Sequence, residues 1–399
     1  MDVLVVGAGP VGFLYAWLWL QWGARVSLCQ RSPEDQQAFE VVAASPKCKE
    51  FTGHFQLHWR GGLDALVPLE YEWIVLAVPA QAYGAVAEEI LTSHPFLERS
   101  GWILPSASFA AHTQLRVGLK SISLSSFFGA SKKLPEGGGS RFLLRALKKR
   151  IYAGGSGVPI LQELLTICDV EVIDSGSALA AESRNITSYV HPPLFLTPFS
   201  LHCILRLQPS KKWMYKLYPE GPITRGVMES MLRLNSEIGG VLKALQIQPI
   251  NLLSFLNDDN YAVLPESIEP KQIEDFPSLS FEEQAFLLYI RYASLLIDPL
   301  DNPDPDTGRY PEFSAVPFPC VDSNGMIPRV PLEDYRTLLV YLQIGQKLLL
   351  ETPEMDRLCE NFEFAVKGFE LETGLTTQHC PRRARAFAAQ TAVRVLGDE

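Results

Sequence analysis

Apolar positions change their spacing partway along this chain. Up to about residue 182, short apolar runs alternate with helix-length segments, and beyond that point apolar residues recur every three or four positions over long stretches. Runs at 2–6, 25–29, 71–79, 101–104, 122–126 and 170–173 predict buried strands, with helices expected at 13–22 and 80–92. In the second half the spacing predicts helices at 225–245, 281–296, 332–350 and 355–371, separated by breaks rich in Pro and Asp such as DPLDNPDPDTGRYP at 298–311. The pattern therefore predicts an α/β domain with a mostly parallel sheet over 1–182, followed by an all-α domain over 183–399. The 399-residue length fits two cores better than one.

The first strand, DVLVV, runs straight into Gly7-Ala8-Gly9-Pro10-Val11-Gly12, then an apolar helix and a second strand. Strand, glycine turn, helix and strand within about 30 residues give a G-x-G-x-x-G match the context of a Rossmann dinucleotide site. Gly7 allows the tight turn, Gly9 lets the backbone approach a pyrophosphate, and Gly12 permits close helix packing. Gly7, Gly9, Pro10, Val11 and Gly12 are the expected cofactor-binding residues, with the helix N-terminus facing the phosphates. The second strand ends in Cys29-Gln30-Arg31-Ser32, without the carboxylate that would grip the ribose hydroxyls of NAD or FAD. Arg31 is placed to pair with a 2'-phosphate, so NADPH is the expected cofactor. The Gly-, Ser- and Lys-rich stretch 129–140 reads as a mobile loop at the ligand-binding edge of the sheet, and Arg141, Arg145, Lys148, Lys149 and Arg150 read as a solvated helix face.

The formal charge of -10 argues against nucleic acid as the main partner. Seven scattered cysteines, with no C-x-x-C pair, fit a reducing cytoplasm and give neither a disulfide framework nor a zinc site, and the seven histidines form no metal-ligand cluster. The apolar stretch 11–22 lacks the basic flank and cleavage site of a signal peptide and is too short to span a bilayer, so a cytoplasmic, membrane-free protein is expected. Attention then falls on 182–224. His191 stands before Pro192 and Pro193, and proline disfavours helical backbone in the residue ahead of it, so extended or turn backbone at a cleft is expected for His191.

Seven blocks in this half carry a more specific signal: SRN at 183–185, YVHPPLF at 189–195, YKLYPEGPIT at 215–224, NLLSFLNDDNY at 251–261, RYASLLIDP at 291–299, FSAVPF at 313–318 and IPRVPLEDYR at 327–336. Together with the glycine turn they resemble the bacterial opine metallophore dehydrogenases, the staphylopine, pseudopaline, yersinopine and bacillopaline enzymes, which are related to octopine dehydrogenase. The resemblance implies an NADPH-dependent reductive condensation. A nicotianamine-like amine built on histidine attacks an α-keto acid, water leaves, and the resulting imine is reduced to an opine-type metallophore.

It also implies site residues and an assembly state. His191 takes the position of the proton shuttle, with Asp298 as the carboxylate that orients it and Asp334 as the alternative. Arg184, Lys216, Arg291 and Arg329 are the cations available to the substrate carboxylates, and Tyr189, Tyr215 and Tyr218 are candidates to line the amine pocket. Relatives that take pyruvate place Asp where Ala130 stands, so Ala130 implies α-ketoglutarate. One departure concerns the 2'-phosphate: some relatives add a Lys where this chain has Gln36 and Gln37, leaving Lys47 and Lys49 to compensate. A homodimer is usual in the resembled family. Two other readings compete: a reductase of the ketopantoate-reductase type, which relies on a catalytic Lys and needs no amine cosubstrate, and a non-catalytic sensor that binds NADPH without consuming it.

Overall fold

The structure, a computed structural model, describes residues 1–30, 38–43, 51–63, 66, 70–105, 108–116, 118–134, 141–258, 268–297 and 316–397. Met1–Asn185 forms one compact unit, and the described residues from Ile186 onward form a second.

Twelve strands lie in the first unit: β1 Asp2–Val6, β2 Arg25–Cys29, β3 Ala38–Ala43, β4 Gly53–Gln56, β5 Trp59–Gly61, β6 Trp73–Leu76, β7 Gly101–Leu104, β8 Ser121–Leu124, β9 Gly129–Lys133, β10 Arg141–Leu147, β11 Arg150–Gly155 and β12 Glu171–Asp174. Eight make one sheet in the order β12-β11-β8-β7-β6-β1-β2-β5, parallel throughout except where β11 meets β8. Winding reverses at β1, which has β2 on one side and β6 on the other. In such sheets the reversal opens a crevice at the carboxyl ends of the strands, where the glycine turn lies. This is the mostly parallel Rossmann sheet that the apolar runs predict.

A second sheet, β4-β3-β10-β9, departs from expectation. Gly129–Lys133 is a strand rather than a loop, pairing antiparallel with Arg141–Leu147. The supposed basic helix face is no helix either: Arg141 and Arg145 lie in β10, Arg150 in β11, and Lys148 and Lys149 between the two strands. Phe142 and Leu144 are buried two residues apart, the spacing of a strand, while Arg141 pairs with Glu40 at 2.9 Å and Arg150 with Glu171 at 3.1 Å.

The second sheet explains helix α1, Pro10–Gln21, which has no polar face: Phe13 to Trp19 are all 1% exposed or less. A helix apolar all round must be covered all round. The large sheet covers one side, while on the other the Phe13 ring meets Phe39 of β3 at 5.0 Å and stacks on Phe142 of β10 at 4.1 Å. The apolar 11–22 stretch is thus a core helix, and no helix among the described residues is long and apolar enough to cross a membrane. Helices α2 Tyr83–Ser93, α3 Val158–Leu165 and α4 Ala178–Ser183 complete this unit.

The second unit is helical: α5 Thr187–Phe195, α6 Pro198–Ile204, α7 Arg225–Ala244, α8 Leu252–Asp258, α9 Pro270–Asp275, α10 Phe281–Ile297, α11 Arg329–Lys347, α12 Pro353–Thr373 and α13 Pro381–Leu396. The side chain of Thr224 accepts the N–H of Val227 and starts α7, which buries Val227, Met231, Leu234, Ile238 and Val241 along one stripe. Glu237, on the same helix, accepts the N–H groups of Glu354 and Met355 at 2.7 and 2.8 Å, placing negative charge at the N-terminus of α12.

His379 packs edge-on between Tyr335 and Phe362, with ring centroids 5.3 and 5.4 Å away, and neither ring nitrogen has a hydrogen-bond partner among the described residues. Burial, helped by Arg336 and opposed by Glu363 and Glu370, pushes its pKa down to about 4. A His near 6.5 when unfolded and about 4 when folded gives an unfolded state that binds more protons between these values, so stability is lost as pH falls through that window. Urea unfolding at pH 7 and pH 5 is expected to show the wild type losing about 2 kcal/mol more than His379→Phe, which fills the aromatic slot without a titrating group.

Candidate functional sites

Three glycines of the first turn serve distinct ends. Gly7 has φ +115°, and a Cβ there would lie 2.3 Å from the carbonyl oxygen of Ala77. A Cβ on Gly12 would lie 1.8 Å from the Gly7 carbonyl oxygen, so the helix can pack against its own turn only without one. At Gly9 nothing lies within 4 Å of the same position. Gly9 is the N-cap of α1, with Pro10 at the first helical position, where a missing N–H costs nothing. Open space at Gly9 beside a helix N-terminus fits a pyrophosphate. Arg31, Gln36, Gln37, Lys47 and Lys49 lie outside the described residues.

In the second unit His191 sits inside α5, not in extended or turn backbone, and Pro192 and Pro193 are helical with it. Amide-less nitrogens at 192 and 193 remove two helical bonds. Hydrogen bonds on either side hold the turn: Val190 N–H donates to Ile186 at 3.2 Å, and Leu196 N–H donates to Pro192 at 2.9 Å. Burial of Tyr189, Val190, Leu194 and Phe195 outweighs the local preference of a residue before proline. The helix sets His191 one turn from Phe195, with ring centroids 5.0 Å apart and nearly edge-on.

Asp334, on α11 and 7% exposed, places Oδ1 3.0 Å from Nδ1 of His191, while its Oδ2 has no hydrogen-bond partner among the described residues. Asp298, the carboxylate favoured from sequence, lies outside the described residues, and Asp334, the alternative, stands at the ring. A buried carboxylate on Nδ1 fixes the tautomer that carries its proton there and leaves Nε2 as the basic atom. Tyr215 lies 5.7 Å from Phe195, ring to ring, and burial together with the charge of Asp334 raises its pKa to about 12, so it stays a phenol at neutral pH.

Other anticipated residues scatter. Lys216 lies over the Trp213 ring at 4.9 Å, and Tyr218 is exposed against Phe199. Arg291 is buried and donates twice to the Leu256 carbonyl, at 3.2 and 2.7 Å, tying α10 to α8. Arg329 pairs with Glu333 at 3.0 Å on the surface. Arg184 belongs to the first unit, 5.8 Å over the Tyr152 ring, and Ala130 lies in β9 opposite Ala146, beside an irregularity in the pairing. Among the described residues, no group of three His, Cys, Asp or Glu side chains is placed to hold a metal ion.

One pair went unanticipated. His112 gives its backbone N–H to Glu182 at 2.9 Å, and its Nδ1 lies 2.8 Å from the other oxygen of that fully buried carboxylate. Burial opposes the charged ring, but Glu182 more than offsets it and the His112 pKa is raised. Seventy positions separate the two, and nothing in the sequence links them.

A dinucleotide turn in one unit and an imidazole oriented by a carboxylate in the other define a two-unit oxidoreductase with a helical second domain. The model of the staphylopine dehydrogenase family matches residues 1–391, and the chain belongs to that family. It is similar to pseudopaline synthase of Pseudomonas aeruginosa strain UCBPP-PA14, 36% identical with 92% of this chain and 90% of the relative covered. Staphylopine synthase of Staphylococcus aureus strain Mu50 is 31% identical over 92% of this chain and 91% of its own. Among solved structures, yersinopine dehydrogenase with NADP+ bound superposes with a TM-score of 0.85 at 28% identity, covering 98% of both chains.

Proposed function

We propose that this enzyme makes an opine-type metallophore by NADPH-dependent reductive condensation of a nicotianamine-like, histidine-derived amine with an α-keto acid, α-ketoglutarate in preference to pyruvate. The observation that carries the reading is the His191–Asp334 pair. With its proton on Nδ1 and held by Asp334, the ring accepts a proton at Nε2 from the substrate ammonium, and the carboxylate stabilises the imidazolium formed. The amine then adds to the keto carbon. One amine proton passes to the carbinolamine oxygen, and the imidazolium returns its proton to that hydroxyl. The C–O bond breaks and water leaves to give the imine still protonated on nitrogen, so that hydride addition yields the neutral secondary amine. NADPH, when bound, supplies the hydride that reduces the C=N carbon. Tyr215, a neutral donor near the pair, is assigned to the amine pocket, and Lys216 and Arg184 to substrate carboxylates.

Gly7, Gly9, Pro10, Val11, Gly12 and the α1 N-terminus would hold the dinucleotide, with Arg31 at its 2'-phosphate. The metal is cargo of the product and no cofactor of the enzyme. The proposed setting is the cytoplasm and the proposed assembly a homodimer. Mass spectrometry of the product formed from NADPH, the amine and each keto acid tests the reaction. Steady-state rates are expected to favour α-ketoglutarate, and a clear preference for pyruvate overturns the reading of Ala130.

A further inference from the structure

The His112–Glu182 pair lies in the first unit and has no part in the chemistry assigned to His191. His112 sits in a short 3-10 turn, Ala111–Gln114, in the connection that follows β7. The Gln114 carbonyl of that turn abuts Gly84 in the first turn of α2, where an added Cβ would lie 3.0 Å from it. Glu182 stands in the last turn of α4. Just beyond it Arg184 lies 5.8 Å over the Tyr152 ring, and the Tyr152 carbonyl accepts the N–H of Ser125, the residue after β8. Both partners therefore stand at the carboxyl ends of β6, β7 and β8, the edge where such sheets bind ligands, and across β1 from the end of β2.

Glu182 spends both oxygens on one residue, taking the backbone N–H of His112 at 2.9 Å and meeting its Nδ1 at 2.8 Å. This fixes backbone and ring together and turns Nε2 away from the carboxylate. The His112 side chain is 25% exposed, and no described residue is hydrogen-bonded to Nε2. With its Nδ1 proton given to Glu182, the charged ring offers an N–H at Nε2, whereas the neutral ring offers a lone pair there. Glu182 is the charge that faces the ring from α4, while on α2 Glu88 is engaged by Arg116 at 2.6 Å. A cationic donor aimed in this way suits an anion.

We propose that Nε2–H of His112 binds the α-carboxylate of the keto acid, with Glu182 as the positioning residue that aims the ring. This inference rests on the reductive condensation proposed above. The α-carboxylate is one bond from the carbon to be reduced, so its grip belongs in the dinucleotide-binding unit. The substrate ammonium, by contrast, is repelled by an imidazolium. Loss of the ring proton removes both the charge and the donor, leaving a lone pair against the carboxylate.

Steady-state kinetics with NADPH, the amine and either α-ketoglutarate or pyruvate, joined to NADP+ titration without turnover, test the proposal. In His112→Asn an amide nitrogen replaces Nδ1 as donor to Glu182, and nothing replaces Nε2. The KM for both keto acids is expected to rise about tenfold or more, with kcat held within about threefold and the amine KM little changed. Retained NADP+ affinity reports that the variant is folded. In the wild type the keto-acid KM is expected to stay level while the ring is charged and to rise with pH as the ring loses its proton. Glu182→Gln is expected to start this rise at lower pH, and His112→Asn to lack it. An unchanged keto-acid KM in a folded His112→Asn makes the pair a brace for α4 and overturns the proposal, as does a rise confined to the amine KM. A rise that starts at the same pH in Glu182→Gln overturns the positioning role. Wild-type enzyme that consumes no NADPH with the amine and either keto acid instead overturns the reaction on which the inference rests.

Discussion

Replacing His191 with alanine is expected to lower kcat on the order of 10²-fold or more while leaving NADPH affinity within about twofold of the wild type. The imidazole lies in the helical unit and the glycine turn in the other, so removing the ring leaves the dinucleotide site intact. What is lost is the group that takes the ammonium proton and later returns it to the departing hydroxyl. Asp334→Asn isolates the second element of the pair. An amide has nearly the shape of the carboxylate 3.0 Å from Nδ1 but does not stabilise an imidazolium, and its NH2 favours the tautomer with the lone pair on Nδ1. Its kcat is expected to fall more than tenfold with KM values little changed. Stopped-flow rates combined with NADPH fluorescence titration measure both. Wild-type kcat in His191→Ala would remove the basis of the proton-shuttle mechanism.

The second large effect lies in the glycine turn, where two substitutions of the same size should part company. Gly9→Ala adds a methyl where no protein atom lies within 4 Å, at φ -84°, a backbone value any residue adopts. Thermal unfolding is expected to stay level or rise slightly, since alanine also restrains the unfolded chain. The methyl occupies the approach of the pyrophosphate, so NADP+ affinity is expected to fall at least tenfold. Gly12→Ala drives its methyl to 1.8 Å from the Gly7 carbonyl oxygen, so the turn itself must move and the melting temperature should drop along with binding. Calorimetric melting with and without NADP+ separates the cases. A stable Gly9→Ala protein with wild-type affinity would mean that the dinucleotide does not pass over Gly9.

These sites were readable in the sequence to different depths. The strand at 25–29 and the roles of Gly7 and Gly12 follow from local pattern, because a turn between a strand and a helix leaves few residue choices. The helix at 225 was legible through its apolar stripe, while the Thr224 side chain that starts it emerged only from the structure. The second sheet was not, because GHFQ and GASKK are short, polar or small, and become strands only by pairing with distant partners. The backbone of His191 defeated a sound local rule, since the burial of its neighbours exceeds what proline costs. Asp334 could be named only as an alternative to Asp298, for 143 positions separate it from His191 and only the fold brings them together.

Helix α1 has a consequence for the order of events at the ribosome. Its cover includes β10, which ends at Leu147, so throughout the synthesis of the first hundred-odd residues a greasy rod bearing two tryptophans emerges with half its wrapping still unmade. The nascent chain must shelter that segment, by chaperone or by transient collapse, until the second sheet arrives. Early in its life this protein is vulnerable at the very segment that later becomes the best protected part of its dinucleotide domain.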